Sequence, residues 1–155
     1  MLLLMKDLIL HETTFHGTPD FPYILYHGKV PDFLTSFPQH WHNEAEFIYI
    51  ESGHLTITVW SQTHHAHAGD LIILMPQVIH SLEEYDNQTA EYYNIVFDFS
   101  ILGNDTRYEK YLVPFLTHEK KIDFYNKKGS KLNESLKPLI LSLIENRRSS
   151  YTTHE

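Results

Sequence analysis

His40-x-His42-x-x-x-Glu46 puts two imidazoles and a carboxylate close together in the chain, and His80 offers a third imidazole farther on. On a strand, residues two apart point to the same side, so His40 and His42 would present their rings together with Trp41 turned away. Asn43-Glu44-Ala45 can turn the chain and leave Glu46 at the start of the next strand. Three histidines and one carboxylate suit a divalent transition metal such as zinc, nickel, iron, manganese or copper, with positions left for water or a ligand. Without a metal, the same four groups would offer donors and acceptors to a small molecule. The residue types leave both readings open.

These side chains need a rigid frame, and the surrounding pattern is that of short strands. Leu55-Thr-Ile-Thr-Val-Trp60 alternates strictly, with Leu55, Ile57 and Val59 on one face. Glu46 to Glu51 is rich in aromatic and β-branched residues, and Ser52-Gly53 is expected to end it as a turn. Ser61-Gln62-Thr63 reads as a hairpin turn and His64 to Ala68 as the returning strand. Gly69-Asp70 is the next turn. Leu71 to Met75 is an apolar run of buried-strand length, closed by Pro76. From Glu91 onward, Tyr93, Ile95, Phe97 and Phe99 share a face. Upstream, residues 1–20 suggest a lead-in strand with a loop at Gly17 to Asp20, Tyr23 to Tyr26 a short strand, and Pro31 and Pro38 bracket an extended piece. Many short strands with close turns point to an antiparallel sandwich or barrel.

The character changes after residue 100. Thr106 to Phe115 has helical potential. Lys127 to Ser130 is a hydrophilic break. Leu132, Leu136, Leu139/Ile140 and Leu143/Ile144 then recur at three-to-four spacing, as in an amphipathic helix interrupted at Pro138. Arg147 and Arg148 suit its last turn, and the polar tail from Ser149 is expected to fray. The expected division is therefore a barrel over residues 1–104 and a helical extension over 105–155.

Composition narrows the function. The 155 residues make one domain on length alone, and the chain has no cysteine, which removes thiolate chemistry and disulfides. A net charge of −8 repels a phosphate backbone, so the chain is a poor nucleic-acid binder by itself. The apolar start, Met1 to Met5, lacks the flanks of a secretion signal, and no stretch is long enough to span a bilayer, so a cytoplasmic protein without membrane contact is expected.

His40-x-His42-x-x-x-Glu46, with Gly53 beyond it, resembles the first cupin motif, and Gly69-Asp70 through Pro76 to His80 resembles the second. The second departs from the pattern: Val78 stands where a glycine is usual, and the asparagine after the final histidine is missing. More narrowly, His40-Trp-His-Asn-Glu-Ala-Glu-Phe-Ile-Tyr49, Gly69 to Ser81 and Tyr93-Asn-Ile-Val-Phe97 resemble the N-terminal sensing domain of AraC-family transcriptional regulators, over roughly residues 20–148. The resemblance implies a mainly β fold, a small cupin (double-stranded β-helix or jelly-roll) barrel followed by C-terminal α-helices. It implies an effector-sensing domain that binds a small molecule, such as a sugar, without acting as an enzyme. It also implies a homodimer through the C-terminal helices and DNA binding through a helix-turn-helix domain that this chain, ending at Glu155, does not reach. A fragment of a longer regulator is therefore expected.

The expected pocket is lined by Tyr23, His27, His40, His42, Glu46, His80 and Tyr93, with Leu25 and Phe37 as further wall candidates. Its metal candidates are His40, His42, Glu46 and His80, holding zinc, nickel, iron or manganese if an ion binds at all. The alternative is a metal-dependent cupin enzyme, a dioxygenase or isomerase, using the same four ligands. His64, His65 and His67 form a second histidine group, read as the exposed side of a hairpin. Glu44, Glu83 and Glu84 read as solvated turn residues.

Overall fold

The computed structural model describes residues 10–31, 36–103, 105–117 and 119–152, without the side chains of 148–152. The first part of the expected lead-in strand lies outside the described residues. From Leu10 to Asp20 there is no strand, only isolated bridges from His11 to Trp41 and from Thr18 to Phe21.

Eight strands follow among the described residues: β1 (Tyr23–Val30), β2 (Ser36–His40), β3 (Ala45–Val59), β4 (Gln62–His67), β5 (Leu71–Leu74), β6 (His80–Glu84), β7 (Ala90–Phe97) and β8 (Tyr125–Asn126). All named pairings are antiparallel. One sheet runs β1-β7-β3-β5-β8. The second joins β2 to β6, β6 to β3 and β3 to β4. The two sheets share β3, so the architecture is the mainly β cupin-type barrel that the motifs imply.

The expected turn at Ser52-Gly53 is not a turn. β3 runs through it as one strand, with a register shift against β7 between Ile50 and Ser52. Its first half pairs β7 and β5, and its second half pairs β4 and β6. The bulge bends the strand from one sheet into the other. Gly53 lies at φ 74°, and a Cβ there would sit 1.9 Å from the Thr89 carbonyl oxygen, so only glycine fits. Sequence punctuation marks this position as a stop. The ladder hydrogen bonds on both sides make it a corner. The next hairpin turns at Trp60-Ser61, one step before the expected place, with Trp60 at φ 55° and Val59 paired to Gln62.

Two apolar cores result. Inside the barrel, Ile48, Ile50, Leu55, Ile57, Val59, Ile72, Leu74, Leu82 and Tyr92 pack together. Outside the first sheet, Leu25, Leu71, Ile73, Tyr93 and Ile95 pack against Ile140 and Ile144 of the long C-terminal helix. β5 has all four residues buried because it is covered on both faces.

After β7 the chain forms a 3₁₀ turn (Phe99–Leu102), so Phe99 does not continue the strand as expected. Helices α1 (Thr106–Tyr111) and α2 (Val113–Leu116) fill the expected helical stretch. Asp105 caps α1 by accepting from Arg107 N and Tyr108 N. β8 then returns to the first sheet. Helix α3 (Lys131–Thr152) contains Pro138 and passes Arg147 and Arg148, which therefore do not form its last turn, and Ser149 to Thr152 remain helical.

Asp70 ties the helical part to the barrel. Its carboxylate accepts from His67 N, Lys128 N and the Tyr125 hydroxyl at 2.9, 2.8 and 2.7 Å. The fully buried Asn133 of α3 donates to the Gly69 and Asn126 carbonyls. These bonds fix α3 against the turn that precedes β5.

Candidate functional site

His40 ends β2, His80 opens β6 and pairs with it, and Glu46 lies one residue into β3. His42 is not on a strand as expected. It sits in the turn between β2 and β3. The four side chains nevertheless converge. Glu46 Oε2 lies 3.2 Å from His42 Nε2 and 3.0 Å from His80 Nε2, and the three histidines offer ring nitrogens within 4.8 Å of one another. His42, Glu46 and His80 are buried.

The outer nitrogen of each ring is held by backbone. His40 Nδ1 lies 2.9 Å from the Pro38 oxygen, His42 Nδ1 3.1 Å from the Glu44 oxygen and His80 Nδ1 2.9 Å from the Val78 oxygen. A carbonyl only accepts, so each Nδ1 donates its proton and Nε2 carries the lone pair. Glu44, expected as a solvated residue, thus orients His42, and its own carboxylate is 3.5 Å from the same Nδ1. Carbonyl partners of this kind leave no trace in side-chain sequence.

Two lone pairs beside a carboxylate repel unless a positive charge sits among them. A divalent ion meets that need. Neighbouring donors around an ion with bonds near 2.1 Å stand about 3.0–3.4 Å apart, which is the spacing of Glu46 from its two histidines. The donor set fits a transition metal: His40, His42 and His80 would hold it, with Glu46 beside two of them as a further donor, and it would polarise an oxygen of whatever binds beside it. Without an ion, a proton does the work. Burial disfavours charge on His42, but the hydrogen bond to Glu46 outweighs it and its pKa is raised. Burial likewise opposes the Glu46 charge, and His42 and His80 outweigh it and hold that carboxyl far below its usual range. His40 is pushed down by burial and by His80.

These groups form the floor of a cavity of about 400 Å³. Its walls come from the inner faces of β1 and β7 (Tyr26, Gly28, Tyr92, Asn94, Val96), from Phe37 and Leu82, and from the segment before β1 (Glu12, Thr14, His16). The segment is anchored by Glu12 N to the Trp41 oxygen and by the His11 ring stacked on Trp41. Glu12 Oε2 then reaches within 3.6 Å of His40 Nε2. Tyr26 bonds His16 Nδ1, while His16 Nε2 and Asn94 Oδ1 are buried with no hydrogen-bond partner. Tyr92 packs over Gly28, where a Cβ would lie 2.4 Å from the ring, and burial with the Glu46 charge pushes its hydroxyl up to about 12.

Tyr23 and Tyr93, expected in the pocket, lie on the opposite face of the first sheet, packed with α3. Leu25 is there too. His27 borders the cavity, but its imidazole stacks on Tyr93 at 4.6 Å, on the outer side. Alternation along β1 and β7 separates the two faces correctly but does not say which one is inside. Both carry apolar residues, covered on one side by the barrel and on the other, around Tyr23, Leu25, Tyr93 and Ile95, by α3. Tyr26, Tyr92 and Asn94 were findable as the other half of that alternation. The His64-His65-His67 group divides: His65 and His67 face outward from β4, with His67 bonded across the strands to His54, while His64 lies on the face of buried Ala66, half-buried against Phe124 and Tyr125.

The profile of the AraC-like ligand binding domain matches residues 25–150. The chain belongs to this family. A curated relative of this AraC-like domain is the uncharacterised HTH-type transcriptional regulator YdeC of Bacillus subtilis (strain 168), 23% identical over 111 residues. That match covers 71% of the chain and 38% of the regulator, so the AraC-like domain spans well under half of its relative. Two solved structures are similar to it. One is a Cupin 2 conserved barrel domain protein from Salinispora arenicola CNS-205, at 21% identity and TM-score 0.47, covering 52% of this chain and 67% of that one. The other is the polyketide cyclase RemF from Streptomyces resistomycificus, at 19% identity and TM-score 0.45, covering 48% and 54%. No helix among the described residues of the AraC-like domain is long and apolar enough to cross a membrane.

Proposed function

We propose that this AraC-like domain senses a small polar molecule inside the barrel and reports it to a DNA-binding domain elsewhere in a longer regulator. The observation that carries the reading is the cavity itself, where Asn94 Oδ1 and His16 Nε2 are buried without a hydrogen-bond partner, His16 Nε2 having only the Glu12 carboxylate at 3.8 Å. Buried polar atoms normally find partners, so a cavity that leaves two unpaired is built for a guest that supplies them. A hydroxylated metabolite such as a sugar can donate to Asn94 and accept from His16. The four-residue floor anchors it further, through a bound metal or directly, and the ligand is held without being transformed.

Transmission runs through β7. Tyr92 and Asn94 face the cavity, and Tyr93 and Ile95 face α3. A shift on one side of this strand is felt on the other, which lets ligand binding bias the arrangement of the helices. In this scheme residues 1–104 sense and 105–155 transmit. Leu139 and Leu143 of α3 remain exposed and form the seam of a homodimer. The protein works in the cytoplasm and meets DNA only through the attached domain.

A panel of small polar metabolites screened by thermal shift on tag-free protein tests this. A hit should raise Tm for the wild type and lose most of its effect in Asn94→Ala. Equal stabilisation of both proteins by every hit would sink the idea.

A second reading is a metal-dependent cupin enzyme, a dioxygenase or isomerase. The convergence of His42 and His80 Nε2 on Glu46 Oε2 favours it. Turnover of a bound compound by metal-loaded protein, lost in His42→Ala, would support it over the sensor.

A further inference from the structure

His27 leaves the cavity chemistry but does not stand alone. His27, Glu51 and Glu91 come from β1, β3 and β7 and meet on the outer face of the first sheet. His27 Nε2 is 3.3 Å from Glu91 Oε2 and 3.8 Å from Glu51 Oε2, and all three donor atoms lie within 4.8 Å of one another. The β3 bulge makes this possible. Ile50 pairs Tyr92 and Ser52 pairs Glu91, so Glu51 is the extra residue and swings toward Glu91. The His27 ring is fixed by its stack on Tyr93, at an interplanar angle of 13°. Lys29 Nζ contacts Glu91 through the other oxygen, Oε1, at 3.6 Å, which leaves Oε2 turned to the site.

We propose that His27, Glu51 and Glu91 bind a divalent transition metal ion, such as zinc or manganese, on the outside of the barrel. One imidazole nitrogen and two carboxylate oxygens are a donor set for such ions, and their partial exposure leaves room for water to complete the coordination. The three donors meet away from the cavity floor, because Tyr92 and Asn94 leave β7 on the other face, although His27 also borders the cavity. A bound ion links the three strands β1, β3 and β7, two of which supply cavity walls, and so gives the sensor a second input.

Zinc titration of the tag-free chain by calorimetry tests this, comparing wild type with His27→Gln/Glu91→Gln and with Lys29→Gln. The cavity histidines and the His54–His67 pair stay intact in both variants. The double variant should lose one zinc equivalent, and Lys29→Gln should keep it and bind several-fold tighter because a competing cation is gone. Glu51→Gln alone should weaken the same equivalent at least tenfold, which covers the case of a poorly folded double variant. Unchanged stoichiometry and affinity in His27→Gln/Glu91→Gln and Glu51→Gln, or no zinc bound by the wild type, overturns the proposal. Loss of zinc in His42→Ala reports on the cavity site alone.

Discussion

Glu46 Oε2 lies 3.0 Å from His80 Nε2, although the β3 residue paired with His80 is Val59, at the other end of that strand. The contact exists because β3 bends from one sheet into the other and brings its own beginning over β6. In metal-free protein this places a carboxylate against His42 and His80, and His42 and Glu46 titrate accordingly. His42 is raised, so its contribution is full below its ordinary value of 6.5 and is lost as pH rises through the higher folded value. Glu46 is lowered, so its contribution is present above its ordinary 4.5 and lost as pH falls toward the folded value. His40 is lowered and costs stability as pH falls below 6.5, which blunts the acid side. NMR titration of metal-free protein should show His42 above and His40 below the usual histidine midpoint. Glu46→Gln should bring His42 down, and an unmoved His42 midpoint would contradict the pairing.

The same convergence predicts metal-dependent stability. At a hundredfold excess over its Kd, an ion bound only by the folded state adds about 2.7 kcal/mol. Zinc or nickel added to chelator-treated protein should raise Tm. In His42→Ala most of that rise should vanish at the cavity site, with elemental analysis giving the stoichiometry. A full rise in the variant would rule out the four-ligand floor.

Gly28 should tolerate no side chain while Tyr92 is present. A Cβ at 2.4–2.7 Å from the Tyr92 ring end forces that ring to move. Gly28→Ala is expected to cost about 1–3 kcal/mol and to weaken ligand binding. In a Tyr92→Leu background the cost should largely disappear, a coupling that urea denaturation of the four proteins measures.

Asp70 should matter far more than its turn position suggests. Asp70→Ala strips acceptors from His67 N, Lys128 N and Tyr125 OH. The Tyr125 hydroxyl keeps the His65 carbonyl as acceptor, but leaving the two amides unmet costs about 1–3 kcal/mol each, so a loss of at least about 2 kcal/mol is expected. Amide exchange should quicken first in β8 and α3. Uniform exchange changes across the barrel would argue against Asp70 as the tie.

On α3, two leucine faces should separate. Ile140→Ala, beneath the first sheet, should cost about 2–4 kcal/mol as a core truncation. Leu139→Lys is 64% exposed and should leave monomer stability within about 0.5 kcal/mol. If α3 is the dimer seam, Leu139→Lys also shifts the sedimentation profile toward monomer. A dimer that survives Leu139→Lys and Leu143→Lys would place the seam elsewhere.

The sequence by itself determined a good deal here. The alternation from Leu55 to Val59, the apolar run from Leu71 to Leu74 and the spacing of His40, His42, Glu46 and His80 specified strands, a barrel and its polar floor, because side-chain period and local chemistry are properties of neighbours along the chain. Tertiary structure decided the rest. It made Ser52-Gly53 a corner, because hydrogen bonds to strands far away in sequence outweighed a turn-forming pair. It put Tyr23 and Tyr93 outside the barrel, because α3 covers that part of the first sheet, so apolar residues stand on both of its faces and alternation does not reveal the inner one. It gave His27 to Glu51 and Glu91, and the floor histidines to the Pro38, Glu44 and Val78 carbonyls, because bulges and backbone acceptors act through position in space and have no residue type of their own.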